Sequence, residues 1–174
     1  QRVERMKNGM RADQVAQLRT SSVVRGLTPN TVIAGAAQET PVAIGTVEDD
    51  GPPISALSAG AWTGPALAVL DSGVSLHTDL NVAMQVNCFG SGDAADANGH
   101  GTGVSGAGAA VNDSDGIVGV APGAPIYSVR VLDEKLVGTV ATMMCGLDWL
   151  SNNHDRYDIK VLNLSMQYSQ ADDG

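Results

Sequence analysis

The chain has 174 residues, 43% of them apolar and only 3% aromatic, with a formal net charge of −9. That length supports one domain around an aliphatic, alanine-rich core, and no apolar stretch approaches the length of a membrane span. Residues 1–36 hold six basic and two acidic side chains, the remainder four basic and 17 acidic. An acidic body argues against nucleic acid as a ligand, and a basic segment ahead of it suggests two units that attract one another. Gln1 opens with neither an initiator Met nor a signal-peptide pattern, so the natural chain is expected to begin upstream.

In chain order, residues 11–19 predict a short amphipathic helix with Val15 and Leu18 on one face. Residues 22–33 carry strand-like pieces, Ser22-Val23-Val24 and Thr31-Val32-Ile33, around a turn at Thr28-Pro29-Asn30. From Gly35 to Gly64 the composition shifts to Ala, Gly, Pro and acids without periodicity, as in an extended linker. The continuous run Ala66-Leu67-Ala68-Val69-Leu70 predicts a strand buried on both faces. His100 to Val111 is rich in small residues and compatible with a closely packed helix. Residues 126–132 predict a second strand. Val140, Met143, Met144, Leu147 and Leu150 fall on one helical face, and Val161-Leu162-Asn163-Leu164 predicts a third strand. Strand, helix, strand, helix, strand implies an α/β fold: a parallel sheet with right-handed crossovers and helices on both faces.

In such sheets ligands collect beyond the carboxyl ends of the strands. Asp71 directly follows a predicted strand, and 29 positions later His100 opens the small-residue segment Asn98-Gly99-His100-Gly101-Thr102-Gly103. Alone, Asp71 reads as a cap of the following turn and His100 as a turn residue. Together they supply a carboxylate to hold an imidazole's tautomer and a histidine flanked by glycine, two thirds of an Asp/His/Ser triad in that chain order. The chain reaches Gly174 without a serine in a nucleophile setting, so the chain as it stands is expected to be inactive.

These residues resemble the subtilisin-like serine proteases, the subtilases. The resemblance runs from Val69-Leu70-Asp71-Ser72-Gly73-Val74 and His77-Thr78-Asp79-Leu80 through Asn98-Gly99-His100-Gly101-Thr102. It continues through Gly116-Ile117-Val118-Gly119-Val120-Ala121-Pro122, Val129-Arg130-Val131-Leu132-Asp133, Gly146-Leu147-Asp148-Trp149 and Val161-Leu162-Asn163-Leu164-Ser165-Met166. It implies a truncated subtilisin-like fold and serine endopeptidase chemistry, with Asp71 as triad acid and His100 as general base. It also implies that Ser165, Met166 and Gln167 line the specificity pocket and pair with substrate backbone, while Leu132, Leu136 and Gly138 belong to the opposite wall. The family's oxyanion-hole asparagine and nucleophilic serine have no counterpart before Gly174. Gly103 stands where a second histidine is common, and Gln167 where a glycine is usual.

The basic amino-terminal segment resembles the end of a subtilase propeptide. The implied division is residues 1–36 as the C-terminal part of an inhibitor-type propeptide and 37–174 as the N-terminal part of the catalytic domain. Its partners would be a protein or peptide substrate and its own propeptide, with neither nucleic acid nor membrane, and its location secreted or extracellular. The alternative expectation is a non-catalytic protease homologue acting as a binding module.

Asp113-Ser114-Asp115-Gly116 departs from an EF-hand, because no glutamate follows at the required offset, and Asn112-Asp113-Ser114 is also a glycosylation sequon. The resemblance implies structural calcium in this loop, held by the side chains of Asp79 and Asp113 and the carbonyls of Val111, Asp115 and Ile117. Cys88 and Cys145 lack metal-ligand spacing and are either buried thiols or one disulfide. In the family's fold the loop bearing Cys88 runs past the helix bearing Cys145, which with export favours a bridge. His77 and His154 read as turn and surface residues.

Overall fold

A computed structural model describes residues 32–35, 62–113 and 116–168. In chain order these form β1 (Val32–Gly35), β2 (Ala66–Asp71), β3 (Val82–Asn87), α1 (His100–Ala109), β4 (Ile126–Arg130), β5 (Val137–Thr139), α2 (Val140–Asn153), β6 (Ile159–Asn163) and β7 (Met166–Tyr168). The expected helix at 11–19, the strand piece at 22–24 and most of the expected linker lie outside the described residues.

Four strands form one parallel sheet in the order β3-β4-β2-β6. The central strand β2 has almost every residue buried, which accounts for its unbroken apolar run. Side chains alternate between faces along a strand. Ala66, Ala68 and Leu70 therefore join Val129, Val131 and Ile159 on one face, against Val140, Met143, Leu147 and Leu150 of α2. Val69 points the other way, to Ala109, Ala110, Ala124 and Ile126, with Leu67 and Val104 packed alongside. Helices thus cover both faces, as the alternation of elements implies. The small residues of α1 let it lie close on its face, and a Cβ added at Gly108 would reach 3.0 Å from Leu67 Cδ2.

Helix α2 starts at a capping box. Thr139 Oγ1 accepts from Thr142 N at 3.3 Å, and Thr142 Oγ1 accepts from Thr139 N at 3.0 Å. The disulfide Cys88–Cys145, with Cα atoms 5.8 Å apart, ties the chain leaving β3 to the middle of α2. Near the amino ends of β4 and β6, Tyr127 stacks on Tyr157 with ring centroids 4.9 Å apart, and Trp149 lies 6.3 Å from each. Burial, then the neighbouring Tyr157, push the Tyr127 hydroxyl above its ordinary value.

Parallel registry aligns the carboxyl ends of the strands. Asp71 sits beside Arg130, Arg130 beside Asn87, and Asn163 beside Val69. A second, three-stranded sheet lies in the order β5-β1-β7, with β1 antiparallel to both neighbours. Val32 faces Thr139 and Ala34 faces Val137 on one edge; Ala34 faces Gln167 and Gly35 faces Met166 on the other.

Candidate active site

Asp71 is the last residue of β2 and fully buried. His100 is the first residue of α1, its side chain 7% exposed. The His100 Nδ1 to Asp71 Oδ1 distance is 2.8 Å. A carboxylate only accepts, so Nδ1 carries the proton, and the imidazole is held in the tautomer that leaves Nε2 as its basic nitrogen. Asp71 Oδ1 also accepts from Ser72 N at 2.7 Å, while Asp71 Oδ2 is buried without a hydrogen-bond partner. The two residues singled out in the sequence are thus brought together: a buried strand end and a helix start converge on one hydrogen bond.

The two elements meet through a second carboxylate that sequence reasoning passed over. Asp96 Oδ1 accepts from Ser72 Oγ at 2.7 Å and from the backbone N–H groups of Asn98 and Gly99 at 2.9 Å each. Asp96 Oδ2 accepts from Thr102 N at 2.9 Å and from Thr102 Oγ1. Burial by itself raises the pKa of this carboxyl. The hydrogen bonds from Thr102, Gly99, Asn98 and Ser72 outweigh that and hold it below its ordinary value. The signal in the sequence was Asp96-Ala97-Asn98-Gly99, an acid with small polar residues just before a helix start, where side chains bond to backbone N–H groups.

The residues expected in the two walls flank β1. Leu132 is buried and bridges Gly138 at the base of a hairpin whose tip includes Leu136, in the left-handed region at φ 60°. Asp133 Oδ1 holds that tip by accepting from Lys135 N and Val137 N. Asn98 ties the tip to the histidine loop, its Nδ2 donating to Glu134 O at 3.0 Å. On the other side Ser165 Oγ accepts from Asn163 Nδ2 at 2.9 Å, and Met166 and Gln167 lie in β7.

Asp79 stands beside the loop expected to hold calcium. Its carbonyl accepts from Val111 N at 3.0 Å, its Oδ2 lies 3.6 Å from where a Cβ on Gly116 would be, and its Oδ1 is buried with no hydrogen-bond partner. Asp115 falls outside the described residues. Among the described residues no group of three or more His, Cys, Asp or Glu could hold a metal ion. His77 serves a turn, accepting from Asp79 N at 3.1 Å, and His154 pairs with exposed Asp155 at 3.3 Å. No helix among the described residues is long and apolar enough to cross a membrane.

The chain is similar in sequence to several named proteases. Subtilisin Savinase of Lederbergia lenta is 43% identical over 105 residues, which cover 60% of this chain and 38% of that protein. The thermostable alkaline protease of Halalkalibacterium halodurans is 40% identical over 104 residues, covering 59% and 28%. Alkaline elastase YaB of a Bacillus species is 38% identical over 115 residues, covering 66% and 29%. The chain thus spans less than two-fifths of the length of these relatives. The sequence pattern of the subtilase family matches residues 63–173, which include Asp71, His100 and strand β7. With that match extending over more than half of its length, the chain belongs to the subtilase family.

Proposed function

We propose that this chain is the amino-terminal part of a serine endopeptidase that cleaves peptide bonds through an acyl-enzyme. The observation that carries this reading is the 2.8 Å contact between His100 Nδ1 and buried Asp71 at the carboxyl edge of the sheet. Asp71 orients the ring and stabilises the imidazolium, and His100 Nε2 takes the proton of the family's nucleophilic serine and returns it to the leaving amine.

We assign substrate binding to Leu132, Leu136 and Gly138 on one wall and Ser165, Met166 and Gln167 on the other. Residues 1–36 are then the end of an inhibitor-type propeptide. Strand β1 supports both assignments, because an extended segment between two antiparallel partners is held as a protease holds substrate backbone. It ends at Gly35, next to the proposed junction after residue 36.

We also assign a structural calcium ion to Asp79 and Asp113 with the carbonyls of Val111, Asp115 and Ile117. The donors are hard oxygens, and the unpartnered, buried Asp79 Oδ1 fits a cation there. Bound calcium would neutralise that carboxylate and brace the loop. The disulfide supports an oxidising, extracellular location.

The test is peptide hydrolysis by the full-length protein and its His100→Ala variant. The expected result is hydrolysis blocked by a serine-directed phosphonate and abolished in the variant, whose propeptide stays attached by mass. Undiminished hydrolysis by His100→Ala would overturn the reading.

A further inference from the structure

We propose that Asp96 is a positioning residue for the catalytic pair: its single carboxylate sets the strand end bearing Asp71 and the helix start bearing His100 at their working separation. The inference rests on the peptidase reading above and deepens it.

The argument is one of connectivity. Asp71 and His100 lie on different elements joined through a long excursion of chain, so one 2.8 Å contact has to be held by its surroundings. Five donors converge on Asp96, and they come from both sides of the pair. Ser72, the residue after Asp71, gives its hydroxyl proton to Oδ1. The same hydroxyl oxygen accepts from Gly101 N at 3.1 Å, the residue after His100. Asn98 N and Gly99 N close the loop before His100 onto Oδ1. Thr102 binds Oδ2 through its N–H and its hydroxyl, and its Oγ1 accepts from Ser75 N at 3.0 Å, back in the segment after β2.

Every residue of that list is a near neighbour in sequence of Asp71 or of His100, and all are braced through one anion. Hydrogen bonds to an ionised acceptor are shorter and about twice as strong as neutral ones. A neutral side chain at 96 cannot accept all five. Asp96 itself touches neither His100 nor Asp71 in these contacts, so it is a positioning residue and not a catalytic one. The wall follows the same brace, because Asn98 Nδ2 also holds the Glu134 carbonyl.

The test compares Asp96→Asn, Thr102→Val and Thr102→Ser in the full-length protein. Three quantities are measured well below each melting temperature: kcat, KM and the proton resonance of His100 Nδ1–H. Asp96→Asn is expected to lower kcat about 10- to 100-fold, the scale of misplacing a catalytic group by an ångström or less. KM should stay within about twofold, and the Nδ1–H resonance should weaken or vanish. Thr102→Val should give a smaller fall in kcat, and Thr102→Ser should restore it. A lower melting temperature with kcat and the Nδ1–H resonance intact would make Asp96 a helix cap only and overturn the proposal. Should Asp96→Asn not fold, wild-type kcat in folded Thr102→Val overturns it equally. Full activity in His100→Ala would instead remove the peptidase reading itself, so the two failures are distinct.

Discussion

A Cβ placed on Gly101 would stand 2.0 Å from the carbonyl oxygen of Gly73. The first turn of α1 therefore lies directly on the turn that follows Asp71, and the same atom would be 3.1 Å from Asp71 Cβ. Gly73 is itself in the left-handed region at φ +107°, and a Cβ there would meet the backbone oxygens of Ala94 and Ala95 at 2.8 and 2.7 Å. Backbone on backbone leaves nothing flexible to yield. Gly101→Ala should push α1 off the strand end, costing roughly 1–3 kcal/mol as overpacking does, and should lower peptidase activity more than that loss of stability explains. A urea midpoint and kcat at a temperature where both proteins are folded check the two parts.

Asp71→Asn should keep the fold and lose the chemistry. The amide preserves shape but can present N–H to His100 Nδ1, which favours the wrong tautomer. Loss of the acid costs serine-protease triads about 10⁴-fold in kcat. Steady-state kinetics with an unchanged circular dichroism spectrum is the measurement.

Cys88 and Cys145 are 57 positions apart. Closing a loop of that size removes unfolded-state entropy worth about 4 kcal/mol in the chain-entropy model. The Cys88→Ala, Cys145→Ala double variant should unfold at correspondingly lower denaturant, and reductant should destabilise the parent but not the variant.

Asp96 sets an acid limb. Its folded pKa lies below the ordinary 3.8, so its hydrogen bonds stabilise the folded state fully above that value. That stability is lost as pH falls below about 4 and through the folded value, where the native carboxylate takes up its proton. Unfolding free energy measured from pH 6 downward should fall less steeply in Asp96→Asn than in the parent over that window.

Removing calcium should unbrace the loop beside Asp79. Chelation of the full-length protein should lower its melting temperature, added calcium should restore it, and Asp79→Asn should respond to neither. A parent whose melting temperature ignores both chelator and calcium would exclude the site.

What could be read from the sequence follows the physics of each element. Strand β2 was legible because a strand buried on both faces is written as an unbroken apolar run, and β4 because Ile126, Tyr127 and Val129 are strand-favouring residues. Strand β3 was not. It is the sheet's edge, half-buried along most of its length, and Val82-Ala83-Met84-Gln85-Val86-Asn87 carries neither a clean alternation nor an apolar run. Strands β5 and β7 have three residues each and exist through pairing with β1, more than a hundred positions away. No local signal encodes such a partner. Helix α1 showed only as a stretch of small residues, because it packs by close approach and not by an apolar stripe. Asp71 and His100 stood out through their neighbours, whereas Asp96 sat among polar loop residues whose individual pattern fits any turn.

Strands β5 and β7 each pair with β1 and not with one another. With neighbouring strands about 4.8 Å apart, the two walls stand roughly 10 Å from each other, the width of a single chain. Ladder bonds are made by backbone, so the slot admits one occupant at a time with little regard to its side chains. Entry by any other extended peptide requires β1 to leave. If residues 1–36 are the proposed propeptide, β1 competes as part of the same molecule for as long as the chain between it and β2 is intact. On that reading, cleavage after residue 36 would turn the same four residues into a dilute competitor like any other, and occupancy would pass from a matter of connectivity to one of concentration.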